Sequence, residues 1–207
     1  MASAVIHLAV ANEINKKLNK DKSKILIGSI APDIAKLVGE KKYKSHFITT
    51  NDDIPNIDLF LDKYKNNLND DFVLGYFIHL YTDYLWFKHF MPEFVFEGKI
   101  KKLNGEVVKC NGNMMVQYIY NDYTNLNIKI IDEYEMDLSI FYREIPKIEN
   151  IITEIPLDNI KILIDKMGII IEKSKETKSL TFDLDNIKTF VNTSTDLILS
   201  KIEEISS

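Results

Sequence analysis

The sequence predicts an all-α fold, a multi-helix bundle around a buried central helix with a small hairpin-like insertion near 94–110. Three observations point there. Residues 69–90 are apolar or aromatic nearly all round, including Phe72, Tyr76, Phe77, Ile78, Leu80, Leu85 and Trp86. A helix that is apolar on every side belongs in the middle of a domain. Most other segments carry apolar residues at i, i+3/i+4, i+7 spacing. Residues that favour strands cluster only at 94–110, around the Asn104 and Gly105 turn pair.

The elements follow in order. Residues 3–19 read as a helix, with Ser3 as its cap and Ile6, Val10, Ile14 and Leu18 on one stripe. Residues 23–30 form a short apolar stretch closing on Gly28. Pro32 then breaks or restarts the helix, because it disfavours α geometry at Ala31. Residues 36–50 carry Ser45, His46 and Phe47, and 51–56 form a polar loop with Pro55. An amphipathic helix is expected at 57–67. The central helix starts at Asn69 or Asp70 and stops before Pro92. Helices are also expected at 113–131, 138–143, 148–154, 158–175 and 184–204, the last two packing as a closing hairpin.

Length and composition bound the rest. At 207 residues the chain suits a single domain, and 45% hydrophobic with 28% charged residues is ordinary for a globular protein. The 26 basic and 31 acidic side chains give a net charge of −5. Without a long basic run, a broad nucleic-acid groove or an anionic-membrane patch is not expected. No stretch is long and apolar enough for a transmembrane anchor, since His79 and Asp83 interrupt the best candidate. The N-terminus has no signal-peptide pattern, so a cytoplasmic location is expected. Cys110 is the lone cysteine, which excludes a disulfide framework and a cysteine-rich zinc finger. The sequence leaves the oligomeric state open.

Any histidine metal site must come from His7, His46, His79 and His89. His79 and Asp83 are four residues apart on the central helix, within about 40° of each other on one face. Such a pair either ligates a cation or forms a buried hydrogen bond. Embedded in an apolar helix, the Asp83 carboxylate needs compensation, and a cation compensates it better than one neutral imidazole. Taken alone, His7 reads as a core histidine, Asp33 as a helix cap, and His46 as a surface or core residue. His89 lies about 120° from the Asp83 face, where a helix-end role is the plain alternative.

The ordered set of these residues resembles the zinc-dependent phospholipase C family, whose fold is shared with single-strand-specific zinc nucleases. Three stretches carry the resemblance. They are Ile6-His7-Leu8-Ala9, then Gly28-Ser29-Ile30-Ala31-Pro32-Asp33 leading to Ser45-His46-Phe47, and Gly75-Tyr76-Phe77-Ile78-His79-Leu80-Tyr81-Thr82-Asp83. It covers roughly residues 1–92. The resemblance implies a first zinc on Asp33, His46, His79 and Asp83, with Asp33 also as general base, and either Asp33 or Asp83 is placed in this reading to accept a proton. It implies that Asp83 bridges to a second ion at His7, and that His89 matches a ligand of a third.

The departures are specific. Trinuclear members use an N-terminal Trp exposed by signal-peptide removal, whereas this sequence begins with Met1. No histidine follows His89 to complete a third site, and Asp122 in the next helix is a weak substitute. One or two ions are expected. Zinc suits a His2Asp2 set, which also tolerates manganese, iron or nickel.

The favoured reading is a metal-dependent hydrolase of small phosphate esters with a reduced metal centre. The ion would lower the pKa of water and polarise a phosphoryl oxygen. Tyr76, Tyr81, Tyr84 and Trp86 either wall the pocket or belong to the core. The alternative is a catalytically inactive metal-binding scaffold or partner-binding protein of the same fold. Four protein ligands suit a closed site, and catalytic zinc keeps a position open. An HD-domain phosphohydrolase fits less well, because no histidine here is followed by Asp.

Overall fold

The computed structural model describes residues 1–49, 53–175 and 177–206. The expected loop at 51–56 and the end of 36–50 therefore lie partly outside the described residues. Helix α1 (Ala4–Leu18) is capped by Ser3, whose side chain accepts from the Ile6 N–H. Asp21 caps α2 (Lys22–Gly28) in the same way through the Lys24 N–H. A 3-10 turn at Ala31–Asp33, opened by Pro32, runs directly into α3 (Ile34–Leu37). Two further helices, α4 (Lys42–Ser45) and α5 (Ile57–Tyr64), lead to the central α6 (Asp71–Leu85).

Asp70 caps α6 by accepting from the Phe72 and Val73 N–H groups. Most of this helix is buried, from Phe72 to Leu80 without a break. Two glycines set its packing. A Cβ on Gly28 would collide with the Phe72 carbonyl oxygen, and one on Gly75 with the Ile25 carbonyl oxygen. Glycine at both positions lets α2 and α6 touch backbone to backbone. Beyond Leu85 the helix widens into a π turn, Trp86–Phe90. Trp86 and Phe90 stack with ring centroids 4.2 Å apart and meet the rings of Phe182 and Phe190.

The insertion is a three-stranded antiparallel sheet of β1 (Val95–Phe96), β2 (Lys99–Lys101) and β3 (Val107–Lys109). Its register pairs Ile100 with Val95 on one side and Val108 on the other. Three long helices follow: α7 (Gly112–Glu133), α8 (Ile160–Glu172) and α9 (Leu184–Ser206).

Three expectations need correction. Residues 148–154 are not helical. There Ile152 is buried, and Glu154 accepts from Lys63 Nζ and the Tyr64 hydroxyl of α5, contacts that replace a local helix. The 138–143 segment is a 3-10 helix, Leu138–Tyr142. Nor do α8 and α9 form a closing hairpin. Helix α8 packs on α3 and α7, whereas α9 packs on α1, α6 and α7. The cause lies in α7, where buried Asp122 accepts from the N–H groups of Leu180, Thr181 and Phe182. Asn125 binds Thr177 and the Lys178 carbonyl. These bonds pull the connecting strap onto α7 and turn the chain away from α8. Among the described residues, no helix is long and apolar enough to cross a membrane.

Candidate metal centre

Four elements converge on one buried point. Helix α1 supplies His7, the 3-10 turn supplies Asp33, the residue after α4 is His46, and α6 supplies His79 and Asp83. The His7, His79 and Asp83 side chains are sealed from solvent and His46 nearly so, while the Asp33 side chain is 20% exposed. Asp33 begins α3 without capping it, which leaves its carboxylate available.

The hydrogen bonds set the ring tautomers. His79 Nδ1 lies 2.8 Å from the Ser29 carbonyl. A carbonyl only accepts, so Nδ1 carries the proton and Nε2 the lone pair. His46 Nδ1 lies 2.9 Å from Ser45 Oγ, and that hydroxyl donates to the Lys42 carbonyl 3.1 Å away. His46 Nδ1 is therefore also a donor, and its Nε2 is also a bare acceptor. The two Nε2 atoms face each other at 3.2 Å. Asp83 Oδ2 lies 3.6 Å from His79 Nε2 and 3.9 Å from His46 Nε2. Asp33 Oδ1 is 3.8 Å from His46 Nε2.

Two bare Nε2 atoms thus face each other with a carboxylate oxygen near each side and no donor hydrogen among them, an arrangement that a proton or a cation between them would relieve. Burial disfavours the proton, because desolvation lowers the pKa of His46 and lowers that of His79 well below the usual imidazole value. Asp33 and Asp83 oppose this at His46, and His7 adds to it at His79. Burial also pushes the Asp83 carboxyl up, but His7, the amino terminus and His79 together hold it below the usual carboxylate range.

On the other side of Asp83, Oδ1 lies 3.2 Å from His7 Nε2 and accepts from the Ala2 N–H at 2.9 Å. The His7 ring stacks on His79, with centroids 3.8 Å apart and planes 10° from parallel. The Tyr123 hydroxyl donates to the Met1 carbonyl at 2.7 Å, tying the first residues down over the cluster.

Residues 3–202 match the family described as zinc-dependent phospholipase C. The chain belongs to that family. No curated protein and no solved structure gave a match. Membership extends the resemblance from the first 92 residues to nearly the whole chain. The residues present also fit the zinc that the family name implies. His7 Nδ1 and Nε2, Asp33 Oδ1 and Asp83 Oδ2 are buried without a hydrogen-bond partner, which buried polar atoms normally have. Two groups have ligand atoms close enough to share an ion, His7 with His79 and Asp83, and Asp33 with His46 and His79.

The structure does not bring every candidate of this zinc-dependent phospholipase C chain together. His89 is exposed on the π turn and joins neither group. Asp122 joins neither and spends its oxygens on the strap's N–H groups. Tyr76 and Trp86 are core residues. Tyr81 and Tyr84 line a cavity of about 360 Å³ with Pro55, Asp58 and Lys201 that contains none of the candidate ligands.

Sequence reading missed the groups that orient the ligands. Ser45 sits beside His46 in the chain, and that adjacency is a readable signal. The Ser29 carbonyl leaves none, since a main-chain acceptor has no residue type. Phe47, directly after His46, adopts a left-handed φ of 54°, uncommon for a bulky residue. It is held by an edge-on contact with Phe60, 5.4 Å between centroids.

Proposed function

We propose that this chain, folding as a single domain, is a metal-dependent hydrolase of small phosphate esters. Its principal ion is zinc, held by Asp33, His46, His79 and Asp83. The facing Nε2 atoms of His46 and His79, set between two carboxylates, carry this reading. Zinc bound there supplies Lewis-acid polarisation of a phosphoryl oxygen and acidification of water. The chain's own residues do the rest. Ser29 and Ser45 fix the two imidazoles with Nε2 inward, as hydrogen-bonded partners of metal-ligating histidines do. The apolar body of α6 keeps bulk water out. Asp33, the ligand with an exposed edge, accepts the proton from the attacking water.

His7 with Asp83 Oδ1 offers a second, poorer position, because the Ala2 N–H already occupies that oxygen. His89 takes no part. The test is zinc per chain by elemental analysis for the wild type and His79→Ala, followed by turnover of bis(p-nitrophenyl) phosphate and p-nitrophenyl phosphate. One to two zinc ions per wild-type chain with zinc-dependent turnover supports the proposal. Folded, zinc-free wild type overturns it.

One observation favours a second reading, a closed structural metal site. Three of the four ligands have side chains no more than 1% exposed, and a catalytic zinc needs an open position. Bound zinc with no turnover of either ester selects this reading.

A further inference from the structure

The approach to the cluster passes Asp33, since its other ligands are sealed. Asp33 and Lys36 lie three residues apart on one continuous helical segment, the 3-10 turn running into α3. That spacing puts their side chains on the same face, with Cβ atoms about 5–6 Å apart. Lys36 is exposed. Its Nζ lies 3.5 Å from the Tyr120 hydroxyl of α7, so the side chain reaches from the Asp33 side across to α7. Among the described residues, no carboxylate pairs with it.

The α7 side is built as a lip. The Tyr120 ring, 53% exposed, lies 5.7 Å from the Tyr123 ring. Tyr123 holds the Met1 carbonyl, and the next peptide N–H binds Asp83 Oδ1. The Lys36 ammonium thus reaches the same face of α7 whose Tyr123 holds the segment covering Asp83. Of the other cations near the cluster, Lys42 is paired with Asp53 and the Met1 ammonium is buried beside Asp83. An unpaired cation there is what an anionic substrate needs to come near two aspartates.

We propose that Lys36 binds the non-reacting, negatively charged oxygens of the phosphoryl group at the mouth of the site, with the Tyr120 hydroxyl holding its ammonium in place. This rests on the phosphate-ester reading and adds a substrate-binding residue to it. The ligand class is an ionised phosphate ester or phosphate itself, and a neutral ester is not retained.

The test uses full-length chain loaded with zinc, desalted, and titrated with inorganic phosphate by calorimetry. Wild type, Lys36→Ala, Lys36→Arg and Tyr120→Phe are compared, with zinc per chain measured for each and folding checked by circular dichroism. Lys36→Ala is expected to weaken phosphate binding by about tenfold or more, because a charge-assisted hydrogen bond is lost. Its zinc content is unchanged. Lys36→Arg recovers most of the affinity, and Tyr120→Phe loses a few-fold. On bis(p-nitrophenyl) phosphate, the alanine variant raises KM.

Wild-type phosphate affinity in Lys36→Ala, with wild-type turnover intact, overturns this assignment and leaves the phosphate-ester reading standing. Loss of zinc from Lys36→Ala also overturns it, by showing that Lys36 supports the metal site instead. Zinc-loaded wild type that neither binds phosphate nor turns over any ester overturns the underlying reading and this assignment with it.

Discussion

Gly28 and Gly75 bring the backbones of α2 and α6 into direct contact, with no room for a Cβ on either. The contact reaches the candidate metal centre through their neighbours. Ser29 follows Gly28, and His79 lies one turn beyond Gly75, so the close crossing carries the Ser29 carbonyl to His79 Nδ1. Gly75→Ala gains up to about 1 kcal/mol of helix propensity but forces the helices apart, a cost of about 1–3 kcal/mol or more. The collision is with backbone, so the larger cost applies. The variant is expected to lose about 2 kcal/mol of stability and some zinc affinity. Urea unfolding of the metal-free chain and a competitive zinc titration measure the two effects, and a variant as stable as wild type contradicts the argument.

Ser45→Ala removes the acceptor of the His46 Nδ1 hydrogen without touching a ligand atom. The imidazole is then free to adopt the other tautomer or rotate. Zinc affinity is expected to fall about 10- to 100-fold, the range seen when partners of metal-bound histidines are removed. A chelator-competition titration reads this directly. Unchanged affinity would show that packing alone orients the ring.

His89→Ala should leave both zinc content and stability where they are. The residue is exposed and lies outside both candidate ligand groups, and surface substitutions of this kind stay within about 0.5 kcal/mol. Loss of a zinc equivalent in this variant, seen by elemental analysis, would restore His89 as a ligand.

Much of this arrangement could be read from residue order, for a physical reason. Helical periodicity exposes α1, α6 and α7, and an aspartate inside the otherwise apolar α6 demands a partner that composition restricts to four histidines. Residues of irregular segments were harder. His46 is placed by a short helix, a left-handed Phe47 and the Tyr76 hydroxyl binding the Ser45 carbonyl, none of which has a periodic signature. The 148–154 segment looks helical by spacing, but tertiary contacts of Glu154 with Lys63 and Tyr64 override that preference. Asp122 shows the opposite failure. Its place in the helix after His89 offers it as a weak ligand, but its main-chain partners lie 58 to 60 residues away along the chain.

Asp122 is accordingly predicted to matter for folding and not for metal. Asp122→Ala leaves three main-chain N–H groups of the strap without their acceptor. Each unsatisfied buried group costs about 1–3 kcal/mol, and partial rescue by water brings the expected loss to about 3 kcal/mol. Asp122→Asn keeps one acceptor oxygen and should lose less. Denaturant unfolding ranks the three proteins, and the folded fraction of each should bind zinc as the wild type does. Equal stability of wild type and Asp122→Ala would show that the strap is held by Phe182 packing alone.

Zinc itself should act as a folding ligand. In the metal-free chain the lone pairs of His46 and His79 oppose each other across 3.2 Å, with two carboxylates adding to the repulsion. The native state therefore carries an electrostatic penalty that a cation removes and the unfolded chain does not share. A ligand at 100 times its Kd stabilises the state it binds by about 2.7 kcal/mol. For a chain of this length that raises Tm by about 5–10 °C. Thermal unfolding in a chelator and then in buffered free zinc should show this rise for the wild type. In His79→Ala it should shrink to a small fraction, because one of the four ligands is gone and the remaining three no longer face a common point. Magnesium, which prefers oxygen ligands and octahedral geometry, should give almost no shift. Identical wild-type Tm values with chelator and with zinc would show that the four donors share a proton, and the metal reading of the cluster would fall.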